Sequence, residues 1–198
     1  MTMKKFLIAT AVAASVVAPQ AFAQTKNFEG FSAGANVNFA KTRTEANFGG
    51  RTFQTDDTKT NGSLQGSYGF ALNPKFILGV GATAGIGDLD AGSFNGVSVK
   101  SKDMYSLYLE PGYLVNDTTL LYGKVAYQSM KGELSGAGVR ASDTFDGYGF
   151  GVGVRKMINK NVYLQAEISE INYSSQSFNG VSMDPKQTVG TIGVGYKF

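Results

Sequence analysis

Thr188-Val-Gly-Thr-Ile-Gly-Val-Gly-Tyr-Lys-Phe198, the last stretch of the chain, has the alternating pattern of a β-strand. At the two-residue period of a β-strand, one face carries Gly190, Ile192, Val194, Tyr196 and Phe198. The other face carries Val189, Thr191, Gly193, Gly195 and Lys197. Such a strand suits a sheet with lipid on one side, but on its own it is equally consistent with the last strand of a soluble sheet. The remaining strands have to decide between these two interpretations.

The composition excludes several kinds of site. The chain has 198 residues, enough for one domain, with 26 glycines and no cysteine, histidine or tryptophan. Without cysteine there is no disulfide framework or thiolate metal site, and without histidine the commonest general base and metal ligand is missing. No apolar run is long enough to span a membrane as a helix, so any membrane-spanning structure is predicted to be a β-barrel. No cofactor is expected.

Residues 1–23 have the pattern of a secretory signal peptide. Lys4 and Lys5 precede an apolar segment from Phe6 to Ala18, and Ala21-Phe-Ala23 forms a small-x-small cleavage site before Gln24. The mature domain is therefore predicted to comprise residues 24–198. Removing the two lysines lowers the formal net charge from +3 to +1. Because the sequence has no basic stripe with interleaved aromatic residues, nucleic acid is not an expected partner.

Eight segments alternate apolar and polar or glycine residues with the period of a strand. In the first segment, Phe31 and Phe39 sit at opposite ends of the apolar face, as membrane-interface aromatic girdles require. Pro111 lacks an amide hydrogen, so a bulge or a non-bonded position is expected there. The strands lie at about 28–41, 63–72, 76–86, 104–114, 121–128, 147–155, 162–169 and 188–198.

The connections alternate between long and short. Four long polar segments, 42–59, 87–101, 130–145 and 174–187, are separated by short turns at 73–75, 116–117 and 159–161. Outer-membrane barrels have this pattern, with long extracellular loops, short periplasmic turns and an even number of strands. A soluble barrel would turn its apolar residues inward and would not need aromatic residues at the strand ends.

Three motifs carry a family resemblance that covers nearly the whole mature chain: Leu107-Tyr-Leu-Glu-Pro-Gly-Tyr113, Leu121-Tyr-Gly-Lys-Val-Ala-Tyr127 and Gly190-Thr-Ile-Gly-Val-Gly-Tyr-Lys-Phe198. They resemble the small eight-stranded bacterial outer-membrane barrels, which include OmpX-like, Opa-like and OmpA-type proteins. The resemblance implies an all-β, eight-stranded antiparallel up-and-down transmembrane β-barrel in a Gram-negative outer membrane, in contact with its lipid and lipopolysaccharide. It also implies an assembly signal for the barrel-assembly machinery, formed by Ile192, Val194, Tyr196 and Phe198.

Inward-facing charges predict two ion pairs inside the barrel. Glu110 and Lys124 lie equally far from Asp117, which places them opposite each other across a hairpin. Arg155 and Glu167 are nearly opposite across the turn at 159–161. An eight-stranded barrel is filled by its own side chains, so these pairs are predicted to plug the lumen. In the alternative interpretation they form a gate, and an exchange of partners opens a narrow conduit.

The long connections contain hairpin signals with aromatic residues beside them. Ser93-Phe-Asn-Gly-Val-Ser-Val99 and Ser177-Phe-Asn-Gly-Val-Ser-Met183 share an Asn-Gly turn, and Asn47-Phe-Gly-Gly-Arg-Thr-Phe53 is similar. Because hairpins with exposed edges can bind partners, the sequence predicts a surface-interaction or adhesin-like protein, with a host or surface protein as partner. The alternatives are a purely structural envelope protein and a passive small-solute channel. No catalytic residues are predicted. The expected exposed tips are Phe48, Phe94, Asn95, Gly96, Phe178, Asn179 and Gly180.

Overall fold

The computed structural model describes residues 25–48, 51–86, 89–94, 97–136, 139–174, 176–178 and 181–198. Side chains are described for 25–43, 58–86, 104–131, 144–174 and 186–198. The predicted signal peptide at 1–23 lies outside these residues and stays a prediction. Within them, no helix is long and apolar enough to cross a membrane.

In these residues, ten β-strands follow a 3-10 turn at Thr25–Asn27. β4 lies beyond β3 along β5, and β9 lies beyond β8 along β10, in each case with the pairing register changed by one residue. If β3 is counted with β4 and β8 with β9, the sheet has eight long strands. The bounds are β1 (Gly30–Phe48), β2 (Arg51–Asn73), β3 (Phe76–Ile86), β4 (Leu89–Phe94), β5 (Val97–Asn116), β6 (Thr119–Gly136), β7 (Val139–Met157), β8 (Val162–Tyr173), β9 (Gln176–Phe178) and β10 (Val181–Lys197).

The sheet closes on itself. Each long strand pairs antiparallel with its neighbours in the chain, and β1 pairs with β10 from Ser32↔Lys197 to Asn47↔Ser182. Closure leaves no free edge along this part of the sheet. The prediction of an eight-stranded antiparallel up-and-down barrel is confirmed.

The two faces of the strands agree with the sequence alternation. On β1, Phe31, Val37 and Phe39 are exposed on the outer surface, whereas Asn36 is buried inside. Around Pro111 the register between β5 and β6 is the same on both sides while pairing is interrupted, so the site is a non-bonded position without a bulge. The alternation also continues through Glu170 to Tyr173, where Ile171 and Tyr173 point inward. The sequence pattern blurs there because the interior becomes apolar.

The outer surface carries a membrane-sized apolar band. Phe31 and Phe39 on β1 are eight residues apart, as are Tyr105 and Tyr113 on β5, and all four are exposed. At about 3.4 Å per residue and about 45° of tilt, eight residues cover about 20 Å, close to the roughly 25 Å band of outer-membrane barrels. Aromatic contacts such as Phe31–Tyr68 (ring centroids 4.7 Å apart) and Tyr127–Tyr148 (5.8 Å) link neighbouring strands at the two ends of the band.

The long polar connections are largely paired strands, in agreement with the hairpins that the Asn-Gly and Gly-Gly signals predict. β2 has 23 residues, although about 9–11 are enough to cross a bilayer. Pairing continues to Phe48↔Arg51, Phe94↔Val97, Gly136↔Val139 and Phe178↔Val181. The strands therefore extend as hairpins well past one end of the band, here called the hairpin end. The other end is called the short-turn end.

Candidate functional site: the barrel interior

A layer of apolar side chains fills the lumen at the short-turn end. The first strand was predicted to include Phe28, but β1 begins at Gly30, whose φ of 97° turns the chain. Phe28 instead packs inside against other buried residues, and the Asn27 side chain donates a hydrogen bond to the Asp117 carbonyl (2.7 Å). The segment before β1 therefore forms part of a floor, together with Ile77, Leu114, Leu120, Met157 and Tyr163.

Four charged side chains form one connected chain above this floor. Lys124 Nζ lies 3.2 Å from Glu110 Oε1 and 2.5 Å from Glu167 Oε2, so it bridges two carboxylates. Arg155 Nη2 donates to Glu110 Oε2 at 3.1 Å. The order is Arg155, Glu110, Lys124, Glu167, with charges alternating in sign. Because the side chains are at most 12% exposed, each charge depends on its neighbours for compensation.

The expected direct pair between Arg155 and Glu167 is not formed, and that prediction is wrong. In the pairing of β7 with β8, Arg155 lies opposite Gln165. Glu167 lies opposite Gly153, so Arg155 and Glu167 are two residues out of register. Arg155 therefore binds Glu110 on β5, across the intervening strand β6. Glu167 binds Lys124 and accepts a hydrogen bond from the Tyr122 hydroxyl (3.0 Å). The four residues named from the sequence are brought together, but in a different order of partners.

A row of amide side chains continues the network across the lumen. Arg155 donates from Nε and Nη2 to Gln165 Oε1, at 3.2 and 3.1 Å. Gln165 Nε2 in turn donates to Asn36 Oδ1 and Gln65 Oε1, both at 2.9 Å. Because Asn36 and Gln65 lie on β1 and β2, the network connects strands on opposite sides of the barrel. The strand alternation places these three amides on the inward faces, but it does not indicate that they contact one another.

Three buried tyrosines surround the charges, and each lies opposite a glycine on the neighbouring strand. The cross-strand pairs are Tyr108 with Gly81, Tyr122 with Gly153, and Tyr163 with Gly195. A Cβ on any of these glycines would overlap the tyrosine ring, so the glycine provides the space that the ring occupies.

The rings also face the cations. Lys124 Nζ lies 4.5 Å from the centre of the Tyr108 ring, and Arg155 Cζ lies 5.1 and 4.9 Å from the rings of Tyr122 and Tyr163. Desolvated cation–π contacts of this kind each contribute about 2 kcal/mol. The tyrosines therefore partly replace the water that the cations lose.

Among the side chains that the structure describes, no three His, Cys, Asp or Glu residues come close enough to hold a metal ion. The buried carboxylates are each engaged by a cation.

The protein-family model for the outer membrane protein beta-barrel domain matches residues 8–198. The chain belongs to this family. It is accordingly a protein of the Gram-negative outer membrane, and the short-turn end is periplasmic while the hairpins are extracellular. No curated protein sequence matches the chain.

Two solved outer-membrane structures share the fold. Ail, the attachment invasion locus protein of Yersinia pestis, matches at 18% identity and a TM-score of 0.55, over 86% of this chain and 99% of Ail. Neisserial surface protein A (NspA) matches at 18% identity and a TM-score of 0.54, over 86% of this chain and 98% of NspA. At this level of identity the likeness concerns the fold.

The residues of the expected assembly signal lie on the lipid-facing surface of the outer-membrane barrel. Ile192, Val194, Tyr196 and Phe198 are all exposed there, and the Tyr196 and Phe198 rings are 5.1 Å apart. The Phe198 amide donates to the Phe31 carbonyl (3.0 Å), so the last residue is fixed to the first strand. Their recognition by the assembly machinery stays a prediction.

The predicted hairpin tips fall at the edge of what the structure describes. The backbones of Phe48, Phe94 and Phe178 each end a strand, but their side chains are not described. Asn95, Gly96, Asn179 and Gly180 lie outside the described residues. Their exposure stays a prediction.

Proposed function

We propose that this outer-membrane barrel is a non-enzymatic surface-interaction protein with an adhesin-like role and a lumen plugged by its own side chains. The observation that carries the proposal is the strand pairing of the extracellular hairpins, which resumes beyond residues 87–88 and 175 and reaches Phe94↔Val97 and Phe178↔Val181. Hairpins of this length hold their tips away from the membrane, where a partner can reach them. Supporting the proposal, the fold is shared with a protein named for attachment and invasion.

The proposed partners follow from the surface that each one meets. Outer-membrane lipid and lipopolysaccharide surround the apolar band, and the assembly machinery binds the closing strand. A host or other surface protein binds the extracellular tips. Nucleic acid is not a proposed partner, because the mature chain carries almost no net charge.

Removing the residues Phe94–Gly96 and Phe178–Gly180 is expected to reduce attachment to the level of bacteria that lack the protein. The aromatic tips of the second and fourth hairpins would be lost while the membrane-spanning strands stay intact. Attachment to cultured epithelial cells is counted for bacteria displaying each variant, and folding is checked by the shift between unheated and boiled samples on a gel. Deletion of Ala137 and Gly138 shortens the third hairpin without removing an aromatic residue and should leave attachment unchanged.

Two outcomes would remove the adhesin proposal. One is an unmodified protein that confers no attachment at all, and the other is full attachment by the correctly folded tip-deleted variant. A changed uptake of small solutes after the deletion would favour the second candidate, a passive channel.

The channel is retained as that second candidate because of one observation. In the charged chain, both Glu110 and Lys124 contact two partners, so an exchange of partners inside the lumen needs only side-chain rotation. Such an exchange is the gate that the inward charges suggested from sequence.

A further inference from the structure

The extracellular half of the lumen contains a partly enclosed cavity of about 460 Å³. It exists because the inward residues at this height are small, and they include Thr83, Gly85, Ser106, Ala126, Gly149 and Ser169. The charged side chains Lys124 and Glu167 bound the cavity on its periplasmic side. Small-molecule sites usually have volumes of about 300–1,000 Å³, so the cavity has the size of a binding site. Below it the lumen is filled, which makes the cavity a closed-ended vestibule.

The walls of the vestibule favour an uncharged ligand. Lys124 and Glu167 neutralise each other, and Lys59 higher up already has an interaction of its own. Most other polar lining groups are amides and hydroxyls, which offer donors and acceptors without charge. Asn61 Oδ1 is a buried acceptor with no hydrogen-bond partner in the described part of the chain. Because Asn61 lines the cavity, a rotation of its amide would allow a ligand hydroxyl to donate to this oxygen.

One side of the vestibule is apolar. Ala40, Met130, Ile171 and Val189 line the cavity and pack with Phe145 and Tyr173 in a single cluster. A saccharide ring has the matching distribution, with hydroxyls around its edge and an apolar C–H face. An acyl chain would leave the amides unpaired, and a charged solute would gain no compensating charge.

From this match of size, neutrality and one apolar wall, we propose that the vestibule binds a single uncharged saccharide unit that enters from the extracellular side. The site lies within the barrel and does not involve the hairpin tips. It therefore goes beyond the proposed attachment function, and either proposal can fail without the other.

Ligand-observed saturation-transfer NMR on the refolded mature chain in detergent micelles tests the proposal. The probes are methyl β-glucoside and N-acetylglucosamine, compared with cationic glucosamine and anionic glucose 6-phosphate. The uncharged probes are expected to bind saturably with a Kd of about 1 mM, ordinary for a ligand of this size held by a few hydrogen bonds. Charged probes are expected to bind at least about tenfold more weakly, because the buried site offers no unpaired counter-charge.

Paired substitutions locate the binding. Ala126→Trp fills the vestibule and should abolish the signal, whereas Val125→Trp places the same ring on the lipid face and should leave it unchanged. Thr83→Phe and Ala82→Phe form a second inward and outward pair, for use if Ala126→Trp does not fold. Asn61→Leu should weaken binding about fivefold, the usual effect of losing one neutral hydrogen bond.

Three results would overturn the proposal. They are the absence of saturable binding by the uncharged probes to the unmodified protein, stronger binding by a charged probe, and binding that survives both inward substitutions. A tip-deleted variant that loses attachment but still binds the saccharides would show that the two functions are separate.

Discussion

Replacing Glu110 by glutamine is expected to lower the free energy of unfolding by about 3–5 kcal/mol, as for breaking a buried ion pair. Glu110 is 3% exposed and compensates both Arg155 and Lys124. Without its charge, Lys124 keeps Glu167, but Arg155 keeps only the neutral Gln165 and the faces of two tyrosines. Glutamine has almost the same volume, so the loss reports the charge and not a cavity.

Urea unfolding in lipid vesicles measures this effect, with circular dichroism and gel mobility as readouts. Glu170→Gln is the matched control, because Glu170 is exposed on the outer face of the same barrel and its replacement should change little. Replacing Glu110 and Arg155 together by glutamine should recover part of the loss, since no unpaired buried charge remains. Equal stability of Glu110→Gln and the control would mean that the charged chain does not stabilise the barrel.

Gly195→Val is expected to disrupt the closing strand strongly. Any Cβ at this position would overlap the ring of Tyr163, which is 2% exposed and held by a hydrogen bond from Gln65 and by contact with Arg155. Overpacking of this kind costs about 1–3 kcal/mol or more, and here it opposes pairing of β10 with β8. We expect a lower folded yield after refolding and a lower urea midpoint.

A double substitution tests the cause. Tyr163→Ala alone should cost about 3–5 kcal/mol by leaving a cavity, but combined with Gly195→Val the two losses should be clearly less than additive. Gly190→Val is the control on the same strand, since nothing lies within 4 Å of a Cβ at this lipid-facing position. Fully additive losses would show that the ring and the glycine are not coupled.

The sequence was sufficient to predict the barrel and the direction of its side chains. Alternation with a period of two depends only on which face meets lipid, and it holds from Phe31 on β1 to Tyr196 on β10. The register of Glu110 with Lys124 was also predictable: the pair lies equally far from Asp117, and the pairs Leu109↔Val125 and Gly112↔Tyr122 on either side keep that register.

Contacts that depend on distant strands were not predictable. Arg155 reaches Glu110 across β6, and Tyr163 meets Gly195 between strands whose register is set at long hairpins. Closure of the barrel brings Gln165 on β8 to Gln65 on β2, and nothing in the local pattern indicates that approach. The sequence predicted Phe28 as part of the first strand because it is apolar and adjoins the alternating segment. In the structure it packs instead into the apolar layer that fills the short-turn end of the lumen.

A planar-bilayer recording of the purified mature chain tests the blocked lumen directly. Because buried side chains fill the periplasmic half of the barrel, from Phe28 and Leu114 up to Arg155, we expect no sustained openings across a range of voltages. A large-pore porin reconstituted in the same bilayers serves as the positive control. Frequent, large and stable openings from the pure protein would contradict the plug and establish the channel in its place.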